Sequence, residues 1–250
     1  GDHVVFVFVP SCGTCTPCAE GRPALCEPAA QSNGKGMLPH GTSRISSKQV
    51  PLIHHHLGVS SFAEKCVVSM RSLVKIDKSL PFDEAALFGC AVITGVGAVV
   101  NTAKVSAGTS VAVAGLGGVG LSSVLGAAAA GASTVVAVDV VPEKLLLAKK
   151  LGATHVVDAK QPNAVDQVRE WTNGGVDFAF EMAGSIQAMD MCYRMTRRGG
   201  MTISGGLSHP DHKWNVSHLS LVAEERTVKG SYIGSCVPIR DIPRYIALYK

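Results

Sequence analysis

Residues 111–140 combine four local patterns in an order that few folds can accommodate. The first is a valine-rich run from Val111 to Ala114, which is typical of a strand buried on both faces. A glycine-rich turn, GLGGVG at 115–120, follows directly and leads into a small-residue helix pattern that reaches Ala130. A second valine-rich run then ends on Asp139. This order predicts a strand, a tight turn, a helix and a second, parallel strand.

The turn itself matches the pattern G-x-G-x-x-G through Gly115, Gly117 and Gly120. In such a turn the first glycine allows the bend, the second lets the backbone approach a pyrophosphate, and the third lets helix and strand pack closely. The helix N-terminus offers N–H groups and a positive dipole end to phosphates. Asp139 lies 19 residues after Gly120, where a carboxylate can accept hydrogen bonds from an adenosine ribose. Because glycine turns are common, it is this context that favours a dinucleotide site over a simple turn.

Strand and helix patterns continue to alternate after this stretch. Pro142 suits the first turn of a helix, and Gly152 suits its end. The alternation predicts an α/β protein with a doubly wound parallel sheet of the Rossmann type, covered by helices on both faces. The predicted strands are 110–115, 133–139, 154–158, 176–181 and 200–204, and the predicted helices are 118–130, 142–151, 163–172 and 185–197.

Four of the eight cysteines form a compact array near the start of the chain. They are spaced C-x2-C-x2-C-x7-C at Cys12, Cys15, Cys18 and Cys26. Thiolates two residues apart can converge on one tetrahedral ion, and four sulfurs complete its shell, so a zinc held here would be structural. Two disulfides or an iron–sulfur cluster are the alternatives, and zinc is favoured because the array lies in one loop of a chain that we expect to be cytoplasmic.

The segments between these motifs carry weaker signals. Residues 4–9 resemble a strand, 27–56 an irregular excursion, 61–76 a pair of strands and 82–105 a helical region. The excursion ends on His54, His55 and His56, and at most one of three successive histidines can face a given site in regular structure. Taken alone, Cys90 is better explained as a buried core thiol than as a ligand.

Charge and hydropathy exclude two classes of partner. The formal net charge is +4, but no basic run is longer than a pair, which argues against a nucleic-acid surface. No apolar run reaches the length of a membrane span, and no signal peptide is visible. The chain begins without methionine and ends within a helix pattern, so we expect it to be an internal fragment of a longer protein.

Taken together, the motifs resemble those of the zinc-dependent alcohol dehydrogenases in the medium-chain dehydrogenase/reductase superfamily. The long segment after Cys26, with GKGMLPHGTSRI at 34–45, resembles the dimeric, class III-like branch. The resemblance implies a partial GroES-like, mainly-β catalytic domain at 1–91, an NAD-binding Rossmann domain at 92–232 and a return to the catalytic domain at 233–250. Its motifs are GDHVV, the four-cysteine loop, GTSR at 41–44, HLGVSSFAE at 56–64, GC at 89–90, TGVGA at 94–98, GLGGVG, LGATHVVDA at 151–159 and KG at 229–230.

The resemblance also assigns roles to individual residues. Cys12, Cys15, Cys18 and Cys26 match the structural-zinc cysteines, and Cys90 matches the third ligand of a catalytic zinc, which replaces the reading of Cys90 as a core thiol. The other two ligands lie before Gly1 in the family, so we expect the 250-residue stretch alone to be inactive. Coenzyme positions are Thr94, Gly115, Gly117, Gly118, Val119, Gly120, Asp139, Lys144, Ser204, Gly206, Ser231 and Ile233, and substrate-pocket positions are His56, Leu57 and Tyr232.

The implied reaction is oxidation of an alcohol to an aldehyde or ketone, with zinc as Lewis acid and hydride transfer to NAD. NAD is favoured over NADP because Asp139 would repel a 2′-phosphate and Val140 offers it no cation. The glutathione-dependent branch has an arginine for a glutathione carboxylate where this chain has Ala30, so a primary or aromatic alcohol is favoured over S-(hydroxymethyl)glutathione. The alternatives are a zinc-free reductase of the same fold and an inactive nucleotide-binding fragment. The expected protein is a cytoplasmic homodimer.

Overall fold

The computed structural model describes residues 1–250, and the chain divides into two compact units. One unit comprises Gly1–Ile93 together with Ser235–Lys250, and the other comprises Thr94–Gly234. No single helix is both long and apolar enough to cross a membrane, although the helical stretches 82–89 and 91–103 meet that criterion when they are counted together.

The first unit contains little regular structure beyond one strand pair. Strands β1 (His3–Phe6) and β2 (Leu73–Ile76) are antiparallel, with His3 opposite Ile76 and Phe6 opposite Leu73. The predicted strand at 4–9 is therefore shorter than expected. The helices of the first unit are α1 (Thr16–Ala19), α2 (Glu27–Gly34), α3 (Phe82–Ala85), α4 (Ala91–Gly97, which crosses the unit boundary) and, at the end of the chain, α10 (Pro238–Tyr249).

Two predictions for this unit are wrong. Residues 27–34 form helix α2 inside the predicted irregular excursion, because Pro28 sits in its first turn and Glu27 provides the favourable acid there. Residues 61–76 do not form paired strands, since only β2 is extended and its partner is β1. Ser69 accepts a hydrogen bond from the Arg71 N–H and starts a 3₁₀ turn at Met70–Ser72, which ends any strand before β2.

The predicted helical region at 82–105 is broken into several short segments. A 3₁₀ turn at Ala86–Gly89 follows α3, Cys90 interrupts the helix with φ −142° and ψ −70°, and α4 continues into a π-helix at Ala98–Ala103. Gly89 lies where the β1 backbone passes closely, since a Cβ at this position would overlap the carbonyl oxygen of Phe6. Packing of Gly89 against β1 thus interrupts a region whose sequence predicts continuous helix.

The second unit confirms the predicted doubly wound sheet. Six parallel strands lie in the order β5-β4-β3-β6-β7-β8, so the two halves of the sheet meet where β3 pairs with β6. The strands are β3 (Ser110–Ala114), β4 (Thr134–Asp139), β5 (His155–Asp158), β6 (Val176–Glu181), β7 (Thr196–Ser204) and β8 (Thr227–Gly230). The helices are α5 (Gly118–Ala129), α6 (Pro142–Lys150), α7 (Ala164–Trp171), α8 (Ile186–Met195) and α9 (His218–Ala223).

Burial of the central strands explains why their sequences are so apolar. Val111 and Val113 on β3 are fully buried, as are Phe180 on β6 and Ile203 on β7, and helices cover both faces of such a sheet. Pro142 begins α6 and Gly152 follows its end with φ +110°, as predicted. All strands are parallel, so the ends of β3, β4, β6 and β7, at 114, 139, 181 and 204, lie at one side of the sheet. We call this side the carboxyl edge.

Candidate functional site

The four-cysteine array closes into a single cluster. The sulfurs of Cys12, Cys15, Cys18 and Cys26 all lie within 4.8 Å of one another. Helix α1 carries Cys18 and begins just after Cys15, and a short 3₁₀ turn at Pro23–Leu25 returns the chain so that Cys26 meets the other three. The cluster lies wholly within the first unit.

Main-chain N–H groups point at these sulfurs. Thr14 and Cys15 donate to the Cys12 sulfur, at 3.4 and 3.3 Å, and the Cys12 N–H donates to the Cys26 sulfur at 3.2 Å. The two bonds to Cys12 lower the pKa of its thiol to about 5. Burial acts in the opposite direction at the deeper cysteines, raising the pKa of Cys18 to about 12 and that of Cys26 above its ordinary value.

These residues fit a tetrahedral zinc. Four sulfurs at about 2.3 Å from one ion lie about 3.8 Å apart, and the Cys15 and Cys26 sulfurs are separated by 3.7 Å. Four thiolates around a divalent ion leave excess negative charge, which N–H donors to sulfur help to stabilise. The donor set leaves no open position, so an ion held here would serve the fold of the loop and would not bind substrate.

Cys90 lies outside this cluster. It follows the 3₁₀ turn at Ala86–Gly89 and is exposed as a residue, yet its thiol is shielded enough that burial raises its pKa. The assignment of Cys90 as a catalytic-zinc ligand stays a prediction.

In the second unit, the three glycines of the turn after β3 have different surroundings. Gly115 adopts φ +90°, and a Cβ there would stand 2.6 Å from the Ala183 nitrogen. A Cβ at Gly120 would overlap the carbonyl oxygen of Gly115. Gly117 differs from both, because it has an ordinary φ of −76° and open space where a Cβ would stand. Exposed Gly117 and Gly118 begin α5, which no side chain caps, so the turn offers backbone to a ligand.

This contrast yields a paired prediction within one motif. We expect Gly117→Ala to leave the melting temperature unchanged but to weaken NAD binding about tenfold or more, because steric overlap of a methyl group costs about 1–3 kcal/mol. Gly120→Ala should lower the stability of the fold by about 3 kcal/mol through backbone overlap. Thermal unfolding and calorimetric titration with NAD measure the two effects. A Gly117→Ala protein with unaltered NAD affinity would contradict the assignment of open space at Gly117 to a pyrophosphate.

Asp139 lies beside this turn and is nearly buried, at 8% exposure. Its Oδ2 accepts from the Leu116 N–H at 2.6 Å, and its Oδ1 accepts from Val140 and Val141 at 2.8 and 3.0 Å. The Lys144 Nζ stands 4.0 Å from Oδ2. Asp139 therefore fixes the glycine turn in addition to offering a carboxylate at the carboxyl edge.

The remaining predicted coenzyme residues belong to the second unit. Thr94 is nearly buried, and it precedes Gly95, which lies so close to α5 that a Cβ on it would overlap the Val119 carbonyl oxygen. Ser231 joins the end of β7 through an N–H bond of 2.8 Å to the Ser204 oxygen. Thus the structure brings Thr94 near the segment of Val119, and Ser231 beside Ser204.

Residues 231–233, which include two predicted coenzyme positions, lie beyond the last strand of the sheet. Strand β8 ends at Gly230, and Ile233 is buried with φ +47° in a tight turn. The hydroxyl of Ser231 bonds to Thr102 on the π-helix at 2.9 Å. Both the hydroxyl and the main-chain N–H of buried Ser231 are therefore already hydrogen-bonded within the protein. Gly206 follows β7 and donates its N–H to the Glu181 main-chain oxygen at 3.0 Å.

The predicted substrate-pocket residues are exposed. His56 and Leu57 belong to the first unit, where the His56 N–H donates to the Ser60 hydroxyl at 2.9 Å and Leu57 adopts φ +52°. Tyr232 belongs to the second unit and is 41% exposed. The histidine run does not form one cluster: His54 bonds to the Lys35 oxygen, and buried His55 accepts from the Arg44 N–H at 3.2 Å, with its pKa lowered by burial.

Glu181 is a residue of the carboxyl edge that sequence reasoning missed. It ends β6, is only 2% exposed and accepts main-chain hydrogen bonds from the following turn. The available signal was an acid at the end of a predicted buried strand, followed by Met-Ala-Gly-Ser. Asp139 likewise ends a buried strand, although Val-Val-Pro follows it.

A glycine turn with an adjacent acid on a parallel sheet, in one chain with a four-cysteine cluster that fits a metal ion, defines a Rossmann-type protein. A model of the family described as zinc-binding dehydrogenase matches residues 118–250. The chain belongs to this family.

Similar proteins agree with this placement. The chain is 37% identical over 254 residues to "Alcohol dehydrogenase class-3" of Drosophila melanogaster and 38% identical over 251 residues to "Probable S-(hydroxymethyl)glutathione dehydrogenase 1" of Schizosaccharomyces pombe. Each match covers 100% of the chain and 66% of the relative. The crystal structure of benzyl alcohol dehydrogenase from Acinetobacter calcoaceticus superimposes with a TM-score of 0.89 at 34% identity, covering 100% of this chain and 67% of that one.

Proposed function

We propose that the protein to which this chain belongs is a zinc-dependent alcohol dehydrogenase that oxidises an alcohol to an aldehyde or ketone and reduces NAD. The observation that carries the proposal is the carboxyl edge, where the open backbone at Gly117 lies beside the Asp139 carboxylate. Membership of the zinc-binding dehydrogenase family supports it. When bound, zinc supplies Lewis acidity toward the alcohol oxygen and NAD accepts hydride.

Different residues of the chain would bind the coenzyme, the metal ions and the substrate. Gly117, Gly118 and the start of α5 would bind the pyrophosphate, and Asp139 with Lys144 would bind the adenosine ribose. Thr94 and Val119 would orient the nicotinamide, with the backbone of Ser204, Gly206, Ser231 and Ile233 holding its carboxamide side. Cys90 would provide one ligand of the catalytic zinc, and the four-cysteine cluster would hold the structural zinc. His56, Leu57 and Tyr232 would contact the substrate.

The coenzyme is proposed to be NAD because of the charge at the end of β4. A 2′-phosphate would approach the Asp139 carboxylate, and the next residue, Val140, is an exposed aliphatic side chain that cannot neutralise it. Lys144 is the nearest cation, and its ammonium already stands 4.0 Å from Asp139.

For the substrate, we propose a primary or aromatic alcohol. Ala30 is an exposed alanine on α2, and alanine cannot pair with a carboxylate of glutathione. The similarity to benzyl alcohol dehydrogenase supports the aromatic alternative. S-(hydroxymethyl)glutathione is the second candidate, because a relative that is 38% identical bears that activity in its name.

The proposed context follows from the family resemblance. The first unit would be part of a GroES-like catalytic domain, to which the chain returns after the Rossmann domain, and the whole protein would be a cytoplasmic homodimer. Sedimentation of the purified protein tests the dimer. A zinc-free reductase and an inactive nucleotide-binding protein are the competing proposals.

One assay separates these proposals. The protein expressed from its complete reading frame is given NAD with a series of alcohols that includes benzyl alcohol and S-(hydroxymethyl)glutathione, and NADH formation is followed by fluorescence. We expect turnover of benzyl alcohol that is lost on treatment with a chelator and restored by zinc. Turnover that survives complete removal of metal would favour the zinc-free reductase, and NAD binding without any turnover would favour the inactive protein.

A further inference from the structure

Glu181 occupies the centre of the carboxyl edge. As the last residue of β6, it pairs in register with Ala114 at the end of β3 and with Ser204 at the end of β7. It therefore lies between the strand that leads into the glycine turn and the strand that leads into the proposed carboxamide-binding stretch. With 2% exposure it is among the most buried charged residues of the second unit.

The side chain of Glu181 closes the turn that follows β6. Its Oε1 accepts hydrogen bonds from the N–H groups of Ala183, Gly184 and Ser185, at 2.8, 2.7 and 3.2 Å. A single carboxylate oxygen thus organises three successive peptide groups. Bonds from neutral N–H groups to a charged acceptor are stronger than bonds between neutral partners, so this contact fixes the turn.

The turn held by Glu181 lies between two glycines of the coenzyme site. On one side, a Cβ at Gly115 would stand 2.6 Å from the Ala183 nitrogen. On the other side, a Cβ at Gly206 would overlap the Gly184 nitrogen and stand 2.7 Å from Oε2 of Glu181. The main-chain oxygen of Glu181 accepts from Gly205 and Gly206 at 2.9 and 3.0 Å. A displacement of the turn would therefore change the space available at both Gly115 and Gly206.

The charge of Glu181 is unfavourable for binding an anionic pyrophosphate at the same edge, because like charges repel. The hydrogen bonds to its carboxylate come from main-chain N–H groups of its own turn, so its role there is to shape the backbone. Burial of a carboxylate is costly unless such bonds compensate it.

We propose that Glu181 is a positioning residue for the coenzyme: it locks the 182–185 turn between Gly115 and Gly206, and so sets the distance between the pyrophosphate and nicotinamide halves of the site. This inference rests on the proposed NAD binding. Glu181 touches neither the substrate nor the reacting atoms in this role, and it acts through the backbone on either side of it.

The test compares NAD with AMP, which lacks the second phosphate and the nicotinamide half. In Glu181→Gln, which preserves size, we expect NAD affinity to fall about tenfold, as for the loss of a hydrogen bond to a charged acceptor. AMP affinity should change less than twofold, because AMP retains the adenosine ribose, which Asp139 would bind, and the Glu181 carboxylate does not hold Asp139. Both are measured by calorimetric titration far below the melting temperature. If charge alone mattered, NAD affinity would rise.

A second substitution covers the case in which the first does not fold. Glu181→Asp keeps the charge but withdraws it by one methylene, so we expect the same selective loss of NAD affinity. Equal weakening of NAD and AMP by either variant, or unchanged NAD affinity, would overturn the positioning role. If the unmodified protein binds AMP but not NAD, or neither of them, the proposed function fails, and that outcome is separate from any effect of Glu181.

The matched control is Asp241→Asn in the first unit. Asp241 is also a fully buried carboxylate that accepts a main-chain N–H, from Val237 at 2.8 Å, and it pairs with Arg240. We expect this substitution to lower the melting temperature without altering the ratio of NAD to AMP affinity. A shift of that ratio in Asp241→Asn would show that the ratio reports general loosening, which would also overturn the inference.

Discussion

Replacing Cys18 with serine is expected to abolish binding of the proposed structural zinc by the four-cysteine loop and to unfold that part of the first unit. Its sulfur belongs to a set within 4.8 Å, and a hydroxyl is a poor substitute for a thiolate on zinc. Structural zinc contributes on the order of 10 kcal/mol in small zinc domains, so losing it should lower the melting temperature markedly. Elemental analysis should find one zinc fewer per chain, and thermal unfolding should report the lost stability.

Cys66 provides the control for this prediction. It is a half-buried cysteine of the same unit that lies outside the cluster, so Cys66→Ser should keep both the zinc content and the melting temperature. Removing the metal from the unmodified protein with a chelator should reproduce the effect of Cys18→Ser. Retention of the full zinc content by Cys18→Ser would contradict the assignment of this cluster to a metal, and would revive the disulfide alternative.

Replacing Asp139 with asparagine and Val140 with arginine is expected to reverse the coenzyme preference from NAD to NADP. Loss of the charged acceptor for the ribose hydroxyls should weaken NAD binding by about 3 kcal/mol, roughly a hundredfold. The new guanidinium can bind a 2′-phosphate bidentately. Titration of both coenzymes against the double variant measures the change in their affinity ratio.

Asp139 has a second role, in the structure of the glycine turn. Asp139 also accepts N–H groups from Leu116, Val140 and Val141, so its replacement could loosen the glycine turn and weaken every nucleotide. Strong NADP binding by the double variant would show that the turn survives. Asp158→Asn is the matched control, because Asp158 pairs in register with Asp139 at the end of the neighbouring strand and its Oδ1 accepts the Lys160 N–H. It should leave the coenzyme ratio unchanged. An unchanged ratio in the double variant would refute the role of Asp139.

The Rossmann sheet could be predicted from the sequence because its signals are local. Parallel strands such as β3 and β4 are buried on both faces, so each reads as a continuous valine-rich run, and the helices between them start and stop at residues such as Pro142 and Gly152. The first unit lacks such signals. Its strand pair joins β1 to β2 across about seventy residues, and the sequence of 61–76 alone could not reveal that β1 is the partner.

The candidate sites divide in the same way. Spacing alone was enough to propose that Cys12, Cys15 and Cys18 bind a metal, and that Asp139 faces a ribose, because both patterns depend on nearby residues. Only the tertiary structure could separate the open Gly117 from the crowded Gly115 and Gly120, since the atoms that crowd them come from Ala183 or from the folded turn itself. The positioning role proposed for Glu181 could not be predicted for the same reason. It depends on Gly115 and Gly206, which the fold brings to either side of the turn that Glu181 holds.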